Sequence, residues 1–402
     1  MQKTALLLIS LFLPFLLTAA PKHYLILNSV NDTDEAFREI AEQFGSANGK
    51  EVSVGAGIII SYLHETRQTA ERRLRNYMAL SEKYDIPIVI QLDGEQWWSK
   101  RPELWNWWDK SKPGYHPKNR KNVEWTDWTP DAAIKIGWIN WGMQIRMLPT
   151  PNLMSPDYRK ACRKEMKYLV PIVAEWYKNL PDDKKYLFVA LKVGWESAIG
   201  MNNFYPPNGN SYLDKPYKDD PQFVKDPDIL PGRGMQPIGY AAVKTAGIAR
   251  SGELTEQMLT EVIRRHLTDL SKQAHKLGIP REKLFTHCGG WSEGETLYSA
   301  ALNEYSCPGW SFYSFASDPR QDKTAMEQVS RSNAPYWGAV EWLYMGDNTV
   351  QGWKSAIEHT LFDANARYLN IYNWGGIRYN DAAKTAIRQV VGKIDSLTLQ
   401  KR

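Results

Sequence analysis

From His23 to Leu397 the chain alternates short apolar runs with longer amphipathic stretches, eight times over. The runs are His23–Asn28, Val52–Ile60, Ile86–Leu92, Tyr186–Val193, Leu284–Cys288, Gly309–Tyr313, Tyr336–Val340 and Tyr368–Tyr372. Most are β-branched and aromatic without strict alternation, the pattern of strands buried on both faces. Between them the spacing predicts helices over Thr33–Phe44, Glu65–Tyr84, Ser155–Asn179, Thr255–Leu277, Glu295–Glu304, Thr324–Arg331, Gln351–Ala366 and Asp381–Leu397. Capping residues stand at several starts: Asp32 or Thr33, Ser155 before Pro156, and Asn380 or Asp381. Strands joined by crossover helices run parallel, and eight such units close a barrel. The expected fold is therefore α/β, a (β/α)8 TIM barrel. A doubly wound open sheet competes, but no Gly-x-Gly-x-x-Gly turn follows the first run.

The chain has 402 residues, well above the ~250 typical of such a barrel. Residues 1–20 read as a signal peptide: Lys3 near the start, an apolar core from Ala5 to Leu17, then small residues at Ala19 and Ala20. That core is too short for a comfortable membrane span, and no cysteine is present for a lipid anchor. A secreted or periplasmic protein without membrane insertion is expected, with residues 21–402 as one barrel domain. Loop insertions after the third strand (about 94–154) and the fourth (about 197–254) hold the excess length. Loops following barrel strands build the active-site face. Cys288 and Cys307 are the pair that could bridge; three buried thiols, Cys162 included, are the favoured reading.

Two glutamates stand at strand ends beside tryptophan: Glu196 in YLFVALKVGWESAIG after the fourth run, and Glu341 in APYWGAVEWLY after the seventh. Hydrolysis of a glycosidic bond needs one protonated carboxyl on the leaving oxygen and a second carboxylate at the anomeric centre. Rigid strand ends across a barrel mouth can hold such a pair. The arrangement resembles the large clan of retaining glycosidases built on a (β/α)8 barrel. The resemblance implies that Glu196 is the acid/base, Glu341 the nucleophile, and Trp374 in NIYNWGG a floor for the sugar. Many members carry asparagine just before the acid/base; Trp195 stands there in this chain.

Asp93 and Glu95 close the third strand, where they could bind sugar hydroxyls, supply an inverting base, or simply pair with Lys or Arg. His64, His287 and Tyr313 follow or end strands and are candidates for hydroxyl binding or for orienting the nucleophile. Nine of the 17 tryptophans fall between Trp97 and Trp141. Since an indole face matches the C–H face of a pyranose, Trp97, Trp98 and Trp128 are expected sugar platforms. Asn202 in NNFYPPNGN adds an amide beyond the acid/base.

No His-x-His follows the first strand and no Cys/His cluster occurs, so neither a metal nor a cofactor is expected. Basic residues in 100–121 interleave with aromatics, but no nucleic-acid motif is present. A sulfated or uronic-acid glycan fits that stretch better, with a plain solvated loop as the other reading. A secreted glycosidase acting on a poly- or oligosaccharide is the leading expectation. A glycan-binding barrel without a working pair is the alternative. A third reading is a barrel lyase with a Schiff base on Lys192, which shares a strand face with Glu196.

Overall fold

The computed structural model describes residues 22–47, 50–141, 144–200, 203–205 and 236–400. The expected signal peptide at 1–20 and Asn202 lie outside the described residues. Eight parallel strands close a barrel in sequence order: β1 (His23–Leu27), β2 (Val52–Ser61), β3 (Ile88–Asp93), β4 (Phe188–Ser197), β5 (Leu284–Cys288), β6 (Gly309–Phe312), β7 (Gly338–Trp342) and β8 (Tyr368–Ile371). β1 closes the ring by pairing with both β2 and β8, with Tyr24 opposite Ser53 and Tyr368.

Strand alternation divides the apolar residues into two bodies. Tyr24, Ile26, Val89, Ala190, Phe285, Val340 and Tyr368 fill the barrel's lower interior. Leu25, Leu27, Ile58, Leu92 and Val193 face outward, onto helices α1 (Asp34–Phe44), α2 (Arg67–Tyr84), α3 (Pro156–Asn179), α4 (Glu256–Lys276), α5 (Lys323–Arg331), α6 (Val350–Glu358) and α7 (Asp381–Gln400). Thr33, Thr66, Ser155, Thr255, Asp322 and Thr349 each cap one of these helices by accepting the N–H three residues on. A cap of this kind contributes about 1 kcal/mol.

Two helical expectations change. Between β5 and β6 only a 3-10 turn forms, Thr296–Ala301. The Asn303 side chain accepts the N–H groups of Tyr305 and Ser306, which turns the chain before an α-helix can extend. After α6 the helix widens to a π-turn over His359–Asp363, and the Thr360 hydroxyl donates to the Ala356 carbonyl. The three cysteines are separate buried thiols.

The two insertions are joined to each other. Strands Gly137–Asn140 and Gln144–Met147 of the first make a hairpin, and Asn203–Phe204 of the second adds to its edge. Glu124 from the first is buried and accepts the Ala241 N–H of the second. Burial pushes its carboxyl up to about 8, against the pull of several backbone donors. Lys244 donates to the Trp128 carbonyl, and the Trp128 indole donates to Gly252.

Candidate active site

The inward aim of Glu341 requires a break in strand alternation. Val340 packs in the interior, whereas Trp342, two residues on, packs outside against Trp353 of α6. Residues two apart on a regular strand share a face, so the parity must change between them. A bulge does this: β7 pairs with β6 at Ala339–Trp310 and then at Glu341–Ser311, leaving Val340 without a register partner on β6. Its carbonyl instead accepts the Lys192 ammonium at 2.8 Å and the Asn370 amide at 3.0 Å.

β4 is irregular too. Its register with β5 shifts between Val193 and Ser197, Gly194 has φ +85°, and Glu196 itself has φ +47°. A left-handed conformation at a non-glycine residue costs about 1–3 kcal/mol and persists only where surrounding contacts fix it. Here Gln91 donates to the Gly194 carbonyl and Gln96 to that of Trp195. Both expected strands therefore run longer than the apolar runs suggest. Glu196 and Glu341 lie within β4 and β7, not beyond them.

The two carboxyls are buried together. The Tyr313 hydroxyl donates to Glu341 Oε1 at 2.5 Å, and His287 Nε2 lies 3.8 Å from Oε2. Burial raises the Glu341 pKa, opposed by the charge of Lys192 and by the Tyr313 hydrogen bond. Glu196 is pushed up to about 8, first by burial and then by repulsion from Glu341; the hydroxyls of Ser311 and Tyr313 only partly offset this. Lys192 is lowered to about 8 by burial, against the attraction of both carboxylates. His287 is held neutral by burial and by the Lys192 charge. Lys192 and Tyr313 favour the charge of both carboxyls, but the Tyr313 hydroxyl donates to Glu341, while burial and the repulsion of Glu341 favour the protonated form of Glu196.

Several buried polar atoms here have no partner among the described residues: Glu196 Oε1, Glu341 Oε2, His287 Nδ1, Asn28 Nδ2, Gln91 Oε1 and Asn370 Oδ1. Buried polar groups are nearly always hydrogen-bonded. A mixed set of donors and acceptors at the C-terminal ends of barrel strands suits a polyhydroxylated ligand.

A row of half-buried rings is formed by the insertion after β3 and the end of β4. Trp141 stacks on Trp195 with centroids 5.7 Å apart and meets Trp97 edge-on at 6.2 Å. His64 adjoins Trp97 at 6.4 Å and bonds Ser99. Trp97 and His64 therefore stand together, as candidates for one surface. Trp128 lies elsewhere, clasped edge-on against Tyr240 between the insertions.

Three expectations are corrected. Trp98 is 1% exposed, with its indole donating to the Pro149 carbonyl and its ring against Tyr158, so it is core and no platform. Trp374 is buried against Phe44 of α1, because left-handed Asn373 (φ +55°) swings the chain out of the mouth. Tyr372 stands near the carboxyls instead, and both raise its pKa after burial has done so. Asp93 spends both oxygens on the chain, one on the Glu95 and Gln96 N–H groups and one on Ser61. Glu95 accepts Ser197 and His266, tying the β3 loop to β4 and α4. Ser311, Asn370 and Tyr372 were missed from the sequence. Period two could have found Ser311, which precedes the expected Tyr313 by two; no expected residue marked the face shared by Asn370 and Tyr372.

No family model and no curated protein matches the chain. Solved structures do resemble it in fold. The GH5_18 protein from Streptomyces cattleya, solved with GlcNAc, is 8% identical over 94% of this chain and 81% of its own, with TM-score 0.47. PbGH5A, a glycoside hydrolase family 5 enzyme from Prevotella bryantii, is 7% identical over 94% and 97%, with TM-score 0.44. The β-mannanase of the blue mussel Mytilus edulis is 11% identical over 92% and 91%, with TM-score 0.40. The barrel is read from the strand pairing itself, and likeness at this level says nothing of activity or substrate.

Proposed function

We propose that the chain is a secreted glycoside hydrolase that cleaves a poly- or oligosaccharide with retention, using Glu341 as nucleophile and Glu196 as acid/base. One observation carries the reading: Glu196 on β4 and Glu341 on β7 are both buried carboxyls that repel one another, and the Tyr313 hydroxyl donates to Glu341. Glu196 protonates the departing oxygen while Glu341 attacks the anomeric carbon and forms a glycosyl ester; Glu196 then takes a proton from water, whose oxygen attacks the anomeric carbon and displaces the Glu341 carboxylate. Tyr313 contributes to the electrostatics of both carboxyls, which supports a close pair.

Trp97, Trp141 and Trp195 supply apolar faces for sugar rings beyond the scissile bond. An anionic glycan is the finer proposal. Arg101, Arg120 and Lys121 of the basic stretch are paired with carboxylates, whereas exposed Lys100, Lys110 and Lys118 have no such partner among the described residues.

Incubation with a panel of neutral, sulfated and uronic-acid glycans tests the proposal. Glu196→Ala should lose turnover on the glycan that the native protein cleaves; on an activated aryl glycoside of the same sugar, whose leaving group needs no proton, azide should restore turnover and give a glycosyl azide of unchanged anomeric configuration. A native protein that binds a glycan of the panel and releases no reducing end would instead identify a binding barrel.

A further inference from the structure

We propose that Lys192 is a positioning residue, which together with Asn370 pins the bulged Val340 carbonyl from inside the barrel and so aims Glu341 at the substrate. The inference rests on Glu341 being the functional carboxylate.

The argument begins with parity. Without the bulge, Glu341 would lie on the outer face, opposite in sense to Val340. The bulge leaves the Val340 residue out of register with β6, and on the β8 side the pairing passes from Ala339–Leu369 directly to Trp342–Ile371. A carbonyl displaced from a ladder and buried must find other donors. Two converge on it from strands that are not consecutive in sequence, Lys192 of β4 and Asn370 of β8. Lys192 is fully buried, among the largest side chains in the interior. Such a cation is retained only where it is paired and hydrogen-bonded.

The charged and titratable groups facing it are Glu196 from its own strand, Glu341 from β7 and neutral His287 from β5. The ammonium thus bonds the residue next to Glu341 and balances the charge of the pair. It is placed to hold the nucleophile, with its nitrogen turned to a backbone carbonyl.

Two variants separate these parts: Lys192→Met removes donor and charge, and Asn370→Ala removes the other donor alone. Protein carrying carboxyl-labelled glutamate reports the Glu341 titration by 13C NMR, with Glu341→Gln assigning the signal. In Lys192→Met the Glu341 midpoint should rise and a crystal structure should show the Val340 carbonyl turned. On the glycan that the native protein cleaves, kcat should fall about 10²-fold, the effect of a misplacement near 1 Å, with KM little changed. Asn370→Ala should lower kcat in the same sense with the Glu341 midpoint unmoved. A Lys192→Met protein with native kcat, native Glu341 titration and an unmoved Val340 carbonyl would overturn the inference. If the native protein cleaves no glycan while the Glu341 signal and the carbonyl both shift, the hydrolase reading fails and the positioning role stands.

Discussion

The Tyr313 hydroxyl donates a 2.5 Å hydrogen bond to Glu341, and it is positioned by the same β6 face that carries Ser311. Tyr313 follows β6 and Glu341 sits in the β7 bulge, so two adjacent strand ends define the charge of one carboxylate. A hydrogen bond to a charged group contributes about 1.5–3 kcal/mol. Tyr313→Phe is therefore expected to lower kcat by about 10- to 10²-fold while leaving the melting temperature within a few degrees, because the ring is only half-buried. Steady-state kinetics beside thermal melting check this; unchanged kcat would remove Tyr313 from the site.

The raised Glu196 pKa gives the pH dependence a sign. Its acid form is present below about pH 8 and lost above it, so kcat/KM should fall on the alkaline side with a midpoint near there. In Glu341→Gln the repulsion disappears and the Glu196 midpoint should drop, which 13C NMR reads directly. In the native protein the midpoints belong to the interacting pair.

The same shift acts on stability. A carboxyl whose folded pKa lies above its unfolded value holds its proton in the fold, so stability declines as pH rises from about 4.5 to 8 and levels off beyond. The loss is on the order of a few kcal/mol for a buried carboxyl. Glu196→Gln should match the native melting temperature at pH 4 and exceed it at pH 9. A variant that melts below the native protein at pH 9 would show that Glu196 is not strained by its charge.

Two neighbouring tryptophans should respond in opposite ways. Trp98 is core, so Trp98→Ala should cost about 3–5 kcal/mol. Trp97 is half-buried at the row with Trp141 and His64. Trp97→Ala is expected to leave stability within about 1 kcal/mol and to raise KM roughly 10-fold, the effect of about 1.4 kcal/mol of lost binding. Chemical denaturation and substrate titration on both variants separate the roles.

The barrel was legible because its signal is periodic: eight doubly buried runs, eight amphipathic stretches and capping residues at the boundaries. Glu196 and Glu341 were legible as carboxylates beside tryptophan at the ends of apolar runs. What the pattern could not supply arises where periodicity breaks. The β7 bulge and the left-handed turns at Glu196 and Asn373 redirect single residues, so both strands end later than the apolar runs and Trp374 leaves the mouth to Tyr372. The contacts of Lys192 and Asn370 with Val340 join distant segments, and nothing local in LKVGWE or LNIYN announces them. Trp98 and Trp97 are adjacent in sequence, and only packing distinguishes the core ring from the one at the surface.

The most direct measurement is 1H NMR of the first sugar released from the glycan that the native protein cleaves, run beside Glu341→Gln. The expected result is a product whose anomeric configuration matches the bond that was cut, with no release from the folded variant. A first product of inverted configuration, or native turnover in Glu341→Gln, would contradict Glu341 as the nucleophile.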